Sequence, residues 1–342
     1  MLAAVLRDFN QLVLDDVPKP EPGPGQVVVR IKSCGFCATD YKAIKGIRRN
    51  VDFPLTPGHE PAGIVAEVGA FVTNVKPGDE VILSPSGFCG QCRNCRLGLT
   101  HYCEQAYTTG GDGAEVRPGS FAEYTLTGAN VVFHKPARLS FDAACQAEPV
   151  SGAWKGLIHY SEMNIGDDVV VIGTGGIGMY CLMVAKAAGA GRLVAVDISE
   201  YALQTARTLG ATHTVNPSRC DAKAVICEIM PEGPDLVVEA AGPIAAVKLM
   251  VSLLRRGTRW NIFGITTHEE FALDGGLMHF LEARMDSSFS TNPLAIEKAI
   301  RLMSRGLVNP EKVITHRFPL TEISRAVETM GCGDRNKVII NP

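Results

Sequence analysis

The chain has no long apolar run, no surplus of basic charge, no internal repeat and no low-complexity segment. Its formal net charge of −3 at pH 7 argues against nucleic-acid binding, which rests on a basic excess. The longest uncharged stretch that resembles a membrane span, Val169 to Ala185, contains four glycines and falls short of the roughly 20 residues a spanning helix needs. The opening segment Met1-Leu-Ala-Ala-Val-Leu-Arg7-Asp8 has too short an apolar run for a signal peptide, and its charge follows that run. These absences predict a cytoplasmic protein with neither membrane nor nucleic-acid partners. What remains is ordinary globular material: 342 residues, 46% apolar and 20% charged, enough for about two domains of ~100–200 residues each.

Four of the 11 cysteines crowd one stretch, Cys89, Cys92, Cys95 and Cys103. Four thiolates can close a tetrahedral shell around one Zn²⁺, and C-x₂-C spacing lets one turn of backbone present two sulfurs to one ion. An odd cysteine count without a secretory signal weighs against disulfides. A redox C-x-x-C would leave the third and fourth cysteines unexplained. A closed four-sulfur shell has no position for a substrate, so this site is expected to be structural.

The first 150 residues read as β-rich. Val27–Ile31 and Gly63–Val68 have the β-branched enrichment of strands, and Pro18–Gly25 is a turn cluster. Frequent glycines and prolines suit a folded barrel of short strands. The character changes near Pro149. Asp167–Ile172, Arg192–Asp197, Leu236–Glu239 and Arg259–Phe263 read as buried strands, with helical stretches such as Ile177–Ala188 between them. Strand and helix in alternation predict a doubly wound α/β sheet. A further helix is expected over Ala295–Arg305.

Gly173-Thr-Gly175-Gly176-Ile177-Gly178 follows the first of these strands and opens a helix. The first glycine allows the tight turn, the second lets backbone approach a pyrophosphate, and the third permits close helix–strand packing. Asp197 lies 19 residues past Gly178, at the end of the second strand. A carboxylate there accepts hydrogen bonds from the adenosine ribose and repels a 2′-phosphate, which favours NAD over NADP. A glycine turn that binds nothing is the bland alternative, and the strand–helix–strand–Asp context weighs against it.

Other metal-ligand types are scattered: Cys37, then His59 with Glu60, then Glu148. Each has a bland reading, as a core thiol, a satisfied turn histidine or a helix-end carboxylate, and spacing alone does not choose. Lys42, Lys45, Arg48 and Arg49 form a basic cluster that reads either as a solvated face or as a holder of an anionic substrate group.

Gly35-Phe-Cys-Ala-Thr-Asp40, Gly58-His-Glu60, Gly63-Ile-Val-Ala-Glu-Val-Gly69, Lys76-Pro-Gly-Asp-Glu-Val81, the four-cysteine lobe and Gly173–Gly178 occur in one order. In this the chain resembles the zinc-dependent medium-chain alcohol dehydrogenases over nearly its whole length. Glu148-Pro149 is similar to the sorbitol and threonine dehydrogenase branch, where a Glu replaces the second Cys ligand of the liver-type enzymes. The resemblance implies a GroES-like β-barrel catalytic domain over residues 1–150, with the structural-zinc lobe at about 88–104. It further implies a Rossmann NAD-binding domain over 151–288 and a C-terminal segment, 289–342, returning to the catalytic domain.

It also implies a catalytic zinc held by Cys37, His59 and Glu148, with Glu60 beside the metal. Zinc would act as Lewis acid on an alcohol oxygen while NAD accepts the hydride. Thr39 matches the hydroxyl residue that takes the substrate proton. Lys42 stands where many relatives carry a relay histidine. Ala43 and Ser290 stand where sorbitol dehydrogenases carry an aromatic and an arginine. Further cofactor contacts are implied at Phe263, Gly264, Ile265, Phe289 and Ser290.

The expected activity is oxidation of a secondary alcohol (polyol, amino alcohol or hydroxy acid, neutral or anionic) to the ketone, in a homodimer or homotetramer. The alternatives are a primary-alcohol or aldehyde dehydrogenase of the same family, or a non-catalytic NAD-binding scaffold that keeps only structural zinc. A quinone reductase relative would lack the ligands and cysteine lobe present here.

Overall fold

The computed structural model describes residues 1–111, 115–264 and 270–342. The chain forms two compact units, Met1–Ser151 with Ser290–Ser304 and Ile314–Pro342, and Gly152–Phe289 with Arg305–Val313. The C-terminal segment is therefore divided rather than returning whole: Arg305–Val313 goes with the second unit.

In the first unit the long strand Gln26–Phe36 is the hub. Sheet order runs Val132–His134, Glu80–Leu83, Glu60–Val68, Gln26–Phe36, Lys337–Asn341, Ile314–Pro319, and Tyr124–Gly128 branches from the hub strand. Val27, Val28, Val29 and Ile31 are β-branched and at most 1% exposed, whereas Arg30 between them faces out. Burying each such side chain contributes about 1.5–3 kcal/mol relative to leaving it in water. The register against Glu60–Val68 shifts twice, leaving Ala66 of the neighbour unpaired between Val28 and Val29, and Lys32 of the hub unpaired between Ile31 and Ser33, where the hub strand bends. Its last residues are held from both sides. Gly35 pairs with Glu60 on one neighbour and with Ile339 on the other. The backbone leading into Cys37 is therefore clamped by the C-terminal strand. A small sheet of Ser86–Gly87, Tyr107–Thr109 and Val116–Arg117 carries the cysteine lobe.

The second unit is a six-stranded parallel sheet in the order His213–Val215, Leu193–Val196, Val169–Ile172, Leu236–Glu239, Arg259–Ile262, Arg284–Ser287. This is the doubly wound arrangement expected from the alternation of apolar runs and helices. The four-residue strands read as continuous hydrophobic runs because both faces are covered: Val169, Val170 and Val171 are fully buried. Helix ends follow local chemistry. Ser199 caps Glu200–Leu209 by accepting the Ala202 N–H, and Gly210 ends that helix at φ 112°. Strand order reverses around Val169–Ile172, so the ligand crevice is expected at its carboxyl end. Among the described residues no helix is long and apolar enough to cross a membrane.

Candidate metal centres and dinucleotide site

Cys37 occupies the N-cap of the helix Ala38–Ile44, with φ −90° and ψ 155°. Asp40, three residues on, accepts the Cys37 backbone N–H at 3.1 Å through Oδ2. Its other oxygen accepts the Gly58 N–H at 3.1 Å and lies 3.2 Å from His59 Nδ1. One carboxylate, 2% exposed, thus sets both the Cys37 backbone and the His59 ring. With Nδ1 engaged, Nε2 is left to bind a metal. Burial pushes the His59 pKa down, but the charges of Asp40 and Cys37 and their hydrogen bonds outweigh it and hold the ring well above its ordinary value.

Cys37, His59 and Glu60 each offer a ligand atom, all within 4.8 Å of one another. Glu60 is 1% exposed and paired with Lys337, itself 4% exposed. Burial would strip the proton from Lys337, yet the Glu60 and Cys37 charges keep its pKa raised. Gly35 has no room for a side chain, since a Cβ there would stand 1.9 Å from Glu60 Oε2. Glu148 is not in this group. It lies half-buried near the start of the helix Ala147–Trp154, where its backbone carbonyl accepts from Ser151 Oγ at 2.6 Å. Thr39 and Lys42 sit on the Cys37-capped helix, both half-buried. In the basic cluster, Arg48 Nη1 donates to the Gly111 carbonyl at 3.4 Å, and Gly111 abuts His59: a Cβ there would meet the His59 Cβ at 3.3 Å. Arg49 instead stacks over Phe9, and Lys45 is exposed.

The four lobe cysteines are free thiols whose sulfurs lie within 4.8 Å of one another. A tetrahedral shell with Zn–S of about 2.3 Å needs S···S near ~3.8 Å. Cys89–Cys95 and Cys92–Cys103 are each 4.0 Å apart, close to that spacing. Backbone N–H groups point at the sulfurs: Cys89 and Gln105 toward Cys103, and Cys92 toward Cys89, each at 3.3 Å. The backbone N–H groups of Cys95 and Glu104 draw the Cys92 thiol down to about 6, whereas burial pushes the Cys95 thiol up to about 12. Thiolate is the form that binds metal.

In the second unit the glycine turn has the shape its residues predict. Gly173 has φ 89°, and a Cβ on Gly178 would stand 1.9 Å from the Gly173 carbonyl oxygen. Gly175 and Gly176 have nothing within 4 Å of a would-be Cβ, an open flank that suits a pyrophosphate against the helix N-terminus. Asp197 Oδ2 accepts from the Thr174 N–H at 2.7 Å and from its hydroxyl at 3.1 Å, and Oδ1 accepts the Ser199 N–H at 2.9 Å. Ile177 is half-buried in the first turn. Phe263 packs on Gly156, where a Cβ would stand 2.0 Å from its ring. The carbonyl of Phe289 accepts from Lys155 Nζ at 2.6 Å. Ser290, in the first unit, has φ 62° and a hydroxyl 2.8 Å from that of Ser86. Ile265 lies outside the described residues.

Residues 23–137 match the alcohol dehydrogenase GroES-like domain, and residues 176–305 match the zinc-binding dehydrogenase domain. Over 335 residues the chain is 32% identical to L-threonine 3-dehydrogenase of Anaeromyxobacter sp. (strain Fw109-5), covering 96% of this chain and 95% of that protein. The chain belongs to the zinc-dependent medium-chain alcohol dehydrogenase family. Its fold is that of alcohol dehydrogenase TADH from Thermus sp. ATN1, with TM-score 0.94, 27% identity and coverage of 100% and 99% of the two chains. Galactitol-1-phosphate dehydrogenase from Escherichia coli superposes with TM-score 0.91 at 26% identity, covering 100% of both chains. The protein is an NAD-dependent zinc oxidoreductase acting on alcohols. Two residues that build the metal centre escaped sequence reasoning. Asp40 carried a local signal, an acid three residues past a cap. Lys337 carried none.

Proposed function

We propose that this dehydrogenase oxidises a secondary alcohol of a polyol, amino alcohol or hydroxy acid to the ketone. The observation that carries this reading is the convergence of Cys37, His59 and Glu60 within 4.8 Å, with Asp40 behind the histidine. A sulfur, an imidazole and a carboxylate are a donor set for catalytic zinc. Zinc bound there supplies Lewis acidity to the alcohol oxygen, and NAD supplies the hydride acceptor. Cys37 and His59 hold the ion. The carboxylate is Glu60 in the arrangement described above, and Glu148 in the one the resemblance implies. Zinc content of Glu148→Gln and Glu60→Gln separates these. Thr39 takes the substrate proton. It lies three residues before Lys42 on one helix, so the two side chains share a face and the proton leaves beside Lys42. Gly173–Gly178 cradles the pyrophosphate, and Asp197 binds the adenosine ribose.

A substrate bearing an anionic group is favoured by the place of Arg48, which donates to the carbonyl of Gly111, a residue where a Cβ would meet the His59 Cβ at 3.3 Å. The relatives named for L-threonine and galactitol 1-phosphate act on molecules that carry such a group. The decisive experiment is a panel of L-threonine, a 2,3-diol and a hexitol 1-phosphate with NAD, with and without chelator, alongside zinc analysis. Two zincs per chain and chelator-sensitive NADH formation support the reading. No turnover of any secondary alcohol by fully zinc-loaded protein overturns it. Unchanged kcat/KM on the anionic substrate in Arg48→Ala and Lys42→Ala removes the anion-binding role. The enzyme is further read as a cytoplasmic homodimer or homotetramer. The exposed Leu277, Phe280 and Met285 in the second unit support association, and light scattering tests it.

A further inference from the structure

Glu239 ends the strand Leu236–Glu239, fully buried, in register with Ile172 on one neighbouring strand and Ile262 on the other. The glycine turn follows Ile172, and Phe263-Gly264 follows Ile262. The backbone of this residue holds the second loop, and its side chain holds the loop that follows it and lies against the second at Gly264. Its backbone carbonyl accepts the N–H groups of Phe263 at 2.8 Å and Gly264 at 3.0 Å. Its side-chain Oε1 accepts those of Ala241 at 2.8 Å and Gly242 at 2.7 Å. Oε2 is buried and makes no hydrogen bond among the described residues; a Cβ on Gly264 would stand 2.2 Å from it. Ala241 in turn backs the glycine turn, since a Cβ on Gly173 would meet its nitrogen at 2.6 Å.

Burying a carboxyl group is costly, and burial raises the Glu239 pKa although the N–H groups of Gly242, Ala241 and Gly264 pull the other way. An apolar side chain would end this strand at less cost but would leave the buried Gly242 amide and the part-buried Ala241 amide without their acceptor. The place of the group tells what the tie serves. A dinucleotide straddles the switch point of a doubly wound sheet with its pyrophosphate on the glycine turn. Asp197 claims the adenosine half on the side of Leu193–Val196. The nicotinamide half then falls on the side of Leu236–Glu239 and Arg259–Ile262, over the two loops that Glu239 ties.

We propose that Glu239 is a positioning residue for the nicotinamide half of the cofactor, fixing the loops at Ala240–Gly242 and Phe263–Gly264 against which that half binds. The test measures NADH binding by fluorescence titration and AMP binding by calorimetry, so that the two halves are read separately. Glu239→Ala is expected to raise the Kd for NADH about tenfold, or about 1.4 kcal/mol, with the Kd for AMP within about twofold of the parent. Glu239→Gln keeps an acceptor for both amides and is expected to stay within about threefold for NADH. Should the Ala variant not fold, Glu239→Asp withdraws the carboxyl by one methylene and carries the same test: NADH weakened at least about threefold, AMP unchanged. NADH affinity unchanged in Ala or Asp overturns the proposal. So does a parallel loss of AMP, which marks a general structural role, or a Gln variant as impaired as Ala.

Discussion

Asp40→Asn is the most informative single change in the first unit. The side chain keeps its size but loses its charge and one acceptor. Three N–H donors converge on the carboxylate: the Cys37 and Gly58 backbones, each at 3.1 Å, and His59 Nδ1 at 3.2 Å. A carboxamide offers one oxygen and one NH₂, so whichever way it is turned at least one donor faces another donor. A buried donor left without an acceptor costs about 1–3 kcal/mol. Losing the partner behind a metal-binding histidine typically lowers metal affinity about 10–100-fold, or about 1.4–2.8 kcal/mol. Graded chelator competition followed by zinc analysis is the assay. One zinc per chain should leave about 10–100-fold more readily than in the parent while the cysteine-lobe zinc stays, and kcat should fall with it. Melting of the chelated variant should come about 2–4 °C earlier for each kcal/mol lost. A variant with parental chelator resistance at both sites and kcat within about twofold would show that Asp40 does not hold His59.

Cys103→Ser is expected to lose the lobe zinc and to show first as lower soluble yield or altered assembly, whereas Cys37→Ser should fold normally and lose turnover; circular dichroism, zinc analysis and kcat separate the two. Gly178→Ala places a Cβ 1.9 Å from the Gly173 carbonyl oxygen, so the turn must shift; a loss of about 1–3 kcal/mol in stability and weaker NADH binding are expected from melting and titration. Asp197→Ser should relax discrimination against NADP, read as the ratio of kcat/KM for the two cofactors, and an unchanged ratio removes Asp197 from that role. Asp142→Asn tests an acid-labile tie. Burial raises the Asp142 pKa, but hydrogen bonds from Ser33, Arg317 and Asn341 and the Arg317 charge outweigh it and hold it below its ordinary value. Its contribution is fully present above about pH 4 and is lost as pH falls through the lowered pKa. With Arg317 47% exposed the pair is partly screened, so about 1 kcal/mol is expected at pH 7. The gap between parent and variant in chemical denaturation should close at low pH.

What the sequence determined by itself was whatever short-range backbone geometry encodes. Cys89, Cys92 and Cys95 are three residues apart, so one turn of chain can aim their sulfurs at one ion, and those sulfurs do gather with Cys103. Gly173–Gly178 needs only its own strand and helix to make its turn. Leu236–Glu239 was legible to the residue, because a continuous apolar run bounded by turn residues reads as a strand buried on both faces. The scattered ligands were legible as residue types, and family resemblance supplied their grouping. Only the tertiary structure decided the rest. It brought Cys37, His59 and Glu60 together, left Glu148 outside that group, and set Lys337 against Glu60 from the far end of the chain. It also turned Glu239 from the last letter of a strand into the tie between two loops. The physical reason is the same in each case. A buried carboxylate must find its partners wherever the sheet delivers them, and strand order, unlike a turn or a cap, is settled by burial across the whole unit rather than by neighbours in sequence.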